Sequence, residues 1–450
     1  MPALRDAALA GVGIVQLPRM SVTDDFARGR RAGRAAHPRR VDRRPTGLNC
    51  ETDRTKPHTR RAPGPKAAGA PTPTGEETME SLDAERRIPL PAGPQAPEPA
   101  NGAPPTWRDA LRELSPAYFG LVMATGIVSL ASDMMGHTRI AQALFVLNIV
   151  QYVALWAAYL LRMWQFPRRF FGDMTDHAKG PGYFTLVAAT CILASQFILL
   201  HDDVSIGLAM WVLAVALWFA LTYTIFMAFT VKAEKPPLDR SISGAWLLAV
   251  VSTQALAVSS ALLAARIGQP FRLELNLVAL SMWLWGGMLY IWMMSLIFYR
   301  YTFFPFSPSD LSPPYWINMG AMAISTLAGS LLILNAPQAP YLVSLMPFLK
   351  GFTVLYWATG TWWIPMLIGL GIWRYAVRRF PLRYDPLYWG AIFPLGMYAA
   401  CTWQMNRAMG FDFLGFLPPV FLFIALAGWL LAFSAMIRRL LRLAGAKAGR

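Results

Sequence analysis

Residues 205–229 read SIGLAMWVLAVALWFALTYTIFMAF, without a single charged side chain. A helix of about 25 residues, rising 1.5 Å per residue, crosses a hydrocarbon core of roughly 30 Å. A membrane strand would need short alternating segments, and the run has no such alternation. In lipid every backbone polar group needs an internal partner, so this run reads as a helix. Similar apolar runs lie on either side. We place them at 116–135, 140–161 and 182–200, and then at 242–264, 275–298, 315–334, 352–373, 386–405 and 414–437. Short breaks such as His201-Asp202-Asp203 and Lys235-Pro236-Pro237 separate them. The expected fold class is an all-α integral membrane protein of ten transmembrane helices.

Composition supports this reading. Of 450 residues, 55% are hydrophobic and 15% charged, which excludes an ordinary soluble multidomain protein. The net charge is nevertheless +16. Residues 1–105 hold 17 Arg/Lys and 12 Asp/Glu, are rich in Pro, Gly and Ala, and lack apolar periodicity. We expect a disordered tail there. Its run from Arg28 to Arg61 has the chemistry to touch nucleic acid or anionic lipid, but a solvated tail without a nucleic-acid partner is the plainer expectation. Met1–Leu17 makes a poor signal peptide, and Met79 is an alternative start. The helical domain is expected over 106–440, followed by a basic C-terminal tail at 441–450.

Alternate connections are basic. Arg162, Arg168, Arg169 and Lys179 lie in the second loop, Lys232, Lys235 and Arg240 in the fourth, and Arg374, Arg378, Arg379 and Arg383 in the eighth; Arg300 stands alone in the sixth. The positive-inside rule then places the even loops and both termini in the cytoplasm, with the protein in the inner (plasma) membrane.

Odd and even segments differ in composition. Small residues (Gly, Ala, Ser, Thr) form about 40% of the odd set and about 28% of the even, and aromatics run the other way. In the fifth segment Ala245, Ala249, Thr253, Ala257 and Ala261 form a stripe at helical spacing. Two readings follow: odd helices forming an inner pore ring inside an outer even ring, or small stripes that are only packing seams. Under the first, Gly120, Thr125, Gly126, Ser129, Thr190, Ser252, Thr253, Asn318 and Ser325 are the pore-lining candidates. No ionisable residue lies near the middle of any segment, which speaks against a built-in proton relay. Most of the charge excess outside the tail is on the side assigned to the cytoplasm, and it favours anions over cations.

The ninth segment contains Trp389-Gly390-Ala391-Ile392-Phe393-Pro394-Leu395-Gly396. Pro394 has no N–H, so the carbonyl of Gly390 loses its helical partner and a kink is expected. Phe393 is then either a packing residue or a hydrophobic constriction in a lumen. The histidines show no metal-ligand spacing, the three cysteines form no CxxC, and no catalytic cluster is visible. We expect no enzyme activity, no metal and no cofactor.

The chain resembles the tellurite-resistance/C4-dicarboxylate transporter family, which also contains slow-type anion channels and malic acid transporters. The resemblance rests on Tyr118-Phe119-Gly120-Leu121-Val122-Met123-Ala124-Thr125-Gly126-Ile127-Val128-Ser129, on Tyr315-Trp316-Ile317-Asn318-Met319-Gly320-Ala321-Met322-Ala323-Ile324-Ser325, and on Phe393-Pro394. It implies ten helices in five hairpins, odd helices around a pore in each subunit, a homotrimer, and occlusion by the phenylalanine before the ninth-helix proline, here Phe393. It also implies small anions as substrates, either a C4-dicarboxylate such as malate or inorganic anions. A proton-coupled C4-dicarboxylate carrier and a sulfite- or tellurite-related exporter are the alternatives.

Overall fold

The computed structural model describes residues 107–381 and 384–448; the expected tail over 1–105 lies outside them. No strand occurs among the described residues. Ten long helices dominate, which we number α1 (Gly120–Met134), α2 (Thr138–Gln165), α3 (Phe184–Leu200), α4 (Val204–Val231), α5 (Leu248–Arg266), α6 (Phe271–Phe303), α7 (Ile317–Asn335), α8 (Met346–Ile372), α9 (Trp389–Met409) and α10 (Leu417–Ala448). Together with their leading turns, eight are long and apolar enough to cross a membrane. Helices α8 and α9 fall outside that set because Trp, Gly, Pro and Thr dilute their aliphatic content.

Several even helices run past the expected apolar runs. Helix α2 continues through Arg162, α6 through Arg300, and α10 to Ala448, beyond the expected start of the tail at 441. The arginines are held inside the protein. Arg162 is 1% exposed, pairs with Asp173 and donates to the Arg112 carbonyl. Arg300 reaches the Tyr315 hydroxyl and lies 3.5 Å from Asp310. Part of what reads in sequence as loop charge is therefore buried ion pairing at helix ends.

Every odd helix is led in by a short 3₁₀ turn: Pro116–Phe119, Gly180–Tyr183, Gly244–Leu247, Pro313–Trp316 and Pro386–Tyr388. Each turn places Pro or Gly two residues before an aromatic: Pro116/Tyr118, Pro181/Tyr183, Gly244/Trp246, Pro313/Tyr315 and Pro386/Tyr388. Proline fixes φ for the first turn of a helix and lacks only an N–H that has no helical partner there. Ser115, Ser243 and Asp385 cap three of these turns by accepting a backbone N–H two residues on. This fivefold repeat is a sequence signal that the ten-segment reading overlooks.

The odd helices touch one another in order, α1 to α3, α3 to α5, α5 to α7 and α7 to α9, and α9 returns to α1. The five leading turns make the same closed circuit. Each even helix packs on the odd helix before it. Burial follows this division: the apolar windows of α1, α3, α5 and α7 are 78–100% buried, those of α2, α4, α6 and α10 only 22–50%. Helix α9 is likewise mostly buried, whereas α8 buries only six of its 27 residues. Exposed Val, Leu, Phe and Trp on the even helices are side chains that suit lipid rather than water.

Candidate functional site

The middle and C-terminal parts of the odd helices wall a cavity of about 310 Å³. All five contribute to its wall. Ile127 and Leu130 come from α1, Cys191, Ile192 and Ser195 from α3, Ala255, Val258 and Leu262 from α5, Ile324, Leu327 and Leu331 from α7, and Met397 and Gln404 from α9. The spacing 255/258/262 and 324/327/331 is that of one helical face. Most of the wall is apolar. Asp133 of α1, Trp403 and Arg407 of α9 complete it toward the helix ends, so one carboxylate and one guanidinium share the wall. Arg407 lies over the Trp403 ring at 4.7 Å.

Phe393 is 1% exposed and precedes the wall residue Met397 by one helical turn, on the same face of α9. Helix α9 runs unbroken from Trp389 to Met409 with Pro394 in its second turn. Pro394 lies against Gly320 of α7: a Cβ on Gly320 would meet Pro394 Cγ at 2.7 Å. At Gly390 an added Cβ would meet nothing nearer than Pro314 Cα at 3.6 Å, so that glycine is not required by crowding. Gly120 faces the Trp389 Cβ at ordinary contact distance.

The other expected lining residues lie elsewhere. None of the nine, nor Phe393, is part of the cavity wall. Ser129 donates to the Ala141 carbonyl of α2 at 2.7 Å. Gly126 backs onto Ile192 and onto Asn148, which donates to Gln196 across α2 and α3. Asn318 donates to the Tyr301 hydroxyl at 3.1 Å. Ser252 donates back to the Ala249 carbonyl at 2.9 Å.

A pattern links the remainder. Trp429 of α10 donates to Thr125 of α1 at 3.0 Å, Tyr152 of α2 bonds Thr190 of α3 at 2.9 Å, and Trp218 of α4 donates to Thr253 of α5 at 2.9 Å. Trp283 of α6 donates to the Ser325 carbonyl of α7 at 2.8 Å, and Trp357 of α8 to Thr402 of α9 at 3.0 Å. Each odd helix thus accepts at least one bond from a ring on a neighbouring even helix. Thr190, Thr253 and Ser325 turn their own hydroxyl protons back to the carbonyl four residues earlier. Such bonds satisfy buried polar atoms where lipid offers no partner, at about 1 kcal/mol each. Sequence alone ranks these residues by polarity and position, but which way a hydroxyl faces depends on where the outer aromatics stand.

Among the described residues no cluster of side chains suits a metal ion, and Cys191 and Cys401 are buried free thiols.

Residues 113–437 match the family described as voltage-dependent anion channel (SLAC1). An uncharacterized membrane protein of Mycobacterium tuberculosis is 38% identical over 152 residues, covering 34% of this chain and 77% of that protein. An uncharacterized transporter of Methanocaldococcus jannaschii is 25% identical over 314 residues, 68% of this chain and 90% of the relative. A sulfite efflux pump of Trichophyton rubrum is 22% identical over 352 residues, 73% of this chain and 91% of the relative. The match runs from the first leading turn through the apolar part of α10, and it takes in every helix that walls the cavity. The chain therefore belongs to the voltage-dependent anion channel family and is a membrane-embedded anion channel or transporter.

Proposed function

We propose that the ten helices cross the inner (plasma) membrane as five hairpins with both termini in the cytoplasm, and that the odd helices enclose the anion pathway. The observation that carries this reading is the cavity of about 310 Å³ walled by all five odd helices. In this reading the cavity is the outer vestibule, and Phe393, one turn below Met397, closes its floor. Pro394 against Gly320 fixes the height of that ring, and the missing N–H leaves the Gly390 carbonyl free to bend the helix start. An apolar floor blocks ions by bulk and by dewetting. Arg407 draws anions to the mouth, and Asp133 tempers that field. We assign Thr125, Thr190 and Thr253 to the seams between inner and outer helices rather than to the lumen. The family resemblance supports a homotrimer with one pathway per subunit.

The transported species are small anions. Sulfite enters the comparison because the Trichophyton rubrum relative is named for its efflux. A second reading, a proton-coupled dicarboxylate carrier, draws on Asp133, an ionisable side chain in the cavity wall. Ion-substitution flux on proteoliposomes, with chloride, nitrate, sulfite and malate in turn, separates the two. Downhill anion flux that ignores an imposed pH gradient supports the channel reading. Flux driven by the pH gradient supports the carrier, and vesicles no leakier than protein-free controls overturn both.

A further inference from the structure

Three even helices carry a buried arginine at, or just past, their C-terminal ends. Arg162, Arg300 and Arg374 are 1%, 7% and 8% exposed. Each is followed ten or eleven residues later by an aspartate: Asp173, Asp310 and Asp385. Arg162 pairs with Asp173, and Arg300 lies 3.5 Å from Asp310. A buried charge is costly unless an opposite charge and hydrogen bonds meet it, and these two aspartates do so.

At the junction of α8 with α9 the aspartate is used differently. Asp385 is exposed, and its Oδ1 accepts the backbone N–H of Leu387 at 2.9 Å, capping the leading turn Pro386–Tyr388. Arg374 has no hydrogen bond and no ion pair among the described residues, and its Nε is enclosed without a partner. Rings hold the guanidinium in place. Its Cζ lies 4.2 Å from the centroid of the Phe380 ring and 5.1 Å from that of Tyr375. A ring face offsets part of a cation's lost hydration, but it leaves the five N–H donors of a guanidinium without an oxygen to accept them. Tyr375 Oη is 3.1 Å from Tyr388 Oη, which bonds the turn that carries Arg374 to the leading turn that Asp385 caps.

We propose that Arg374 binds a phosphate-bearing anion, free phosphate or the phosphate headgroup of a lipid, in the role that Asp173 and Asp310 play for Arg162 and Arg300. The planar guanidinium fork matches two phosphate oxygens at once, and a fork already fixed between rings loses little freedom on binding. Arg378 and Arg379, exposed on the same junction, add a positive field that favours anions. Asp385 competes with the anion, because it follows Arg374 at the spacing its counterparts use to pair. The turn that Asp385 caps opens α9, so the site lies at the start of the helix that carries Phe393.

The test uses the full-length protein and reads binding rather than transport, so its outcome is separate from that of the flux assay. Thermal unfolding is followed in neutral detergent with increasing inorganic phosphate, against sodium chloride of equal ionic strength. It is repeated in phosphatidylcholine nanodiscs with and without phosphatidic acid. A saturable rise in unfolding temperature with phosphate supports a free-anion site, and a rise only with phosphatidic acid supports a headgroup site. Arg374→Lys keeps the charge and loses the fork, and is expected to weaken the effective probe about tenfold. Asp385→Asn keeps a capping side chain and removes the competing charge, and is expected to tighten binding about threefold. It decides the matter by itself if the arginine variant fails to fold. Arg378→Gln is the control for general surface charge, with a change of at most about twofold. No saturable stabilisation by either probe overturns the proposal. So does wild-type affinity in Asp385→Asn, or a loss in Arg378→Gln equal to that in Arg374→Lys.

Discussion

At their N-terminal ends the odd helices are drawn together by five leading turns that touch one another in a closed circuit, and Gly320 there approaches Pro394 too closely to carry a side chain. At their C-terminal ends the same helices stand apart around a cavity walled by Ile, Leu, Val and Met, with Asp133 and Arg407 in its wall. The contrast reverses a natural assumption about small residues. Glycine here marks where helices must touch: Gly320 at Pro394, and Gly126 against Ile192 and Asn148. The open space lies beside larger aliphatic side chains.

Five substitutions test that contrast. The largest effect is expected from Phe393→Ala, which removes the proposed floor between the tight end and the open one. Anion conductance in a reconstituted bilayer is expected to rise on the order of tenfold or more. Unchanged conductance in a folded, membrane-inserted variant removes Phe393 from the gate. Next comes Gly320→Ala. Its Cβ would sit 2.7 Å from Pro394 Cγ, and overpacking of this kind costs about 1–3 kcal/mol. Gly390→Ala is the control, since its nearest new neighbour is 3.6 Å away, and a change within about 0.5 kcal/mol is expected from thermal unfolding. Equal losses in the two would mean that the tight end is not where we place it. The smallest effect belongs to Arg407→Gln at the open end. Anion flux at low ionic strength is expected to fall about two- to threefold, with the difference fading as salt is added. Asp133→Asn is expected to shift it the other way, and a salt-independent response in both would detach these charges from the anion path.

The sequence carried some of this architecture further than the candidate site. Ten apolar runs, their helical nature and the division into small-residue and aromatic sets are all legible in it, because lipid leaves the backbone one economical solution and the side chains record which face meets it. The structure agrees on the helices and on the buried odd set. The Pro/Gly-x-aromatic repeat before each odd helix was equally present in the chain, but it is short and becomes conspicuous only once Tyr118, Tyr183, Trp246, Tyr315 and Tyr388 are seen at equivalent places. The expected lining residues were chosen by polarity and position. Thr125, Thr190 and Thr253 are polar and central, yet each meets a Trp or Tyr of an outer helix.

What the amino-acid sequence determined by itself is the long apolar helices, the membrane character of the chain, and the family through its long motifs. These depend on composition and local periodicity, which act over a few turns of one segment. Only the tertiary structure decided which hydroxyls close seams, which aliphatic faces wall the cavity, that Pro394 lies on Gly320, and that Asp385 caps a turn while Asp173 and Asp310 pair with arginine. Those outcomes depend on rotation of each helix about its axis and on where it lies against neighbours distant in sequence. No single segment encodes either quantity.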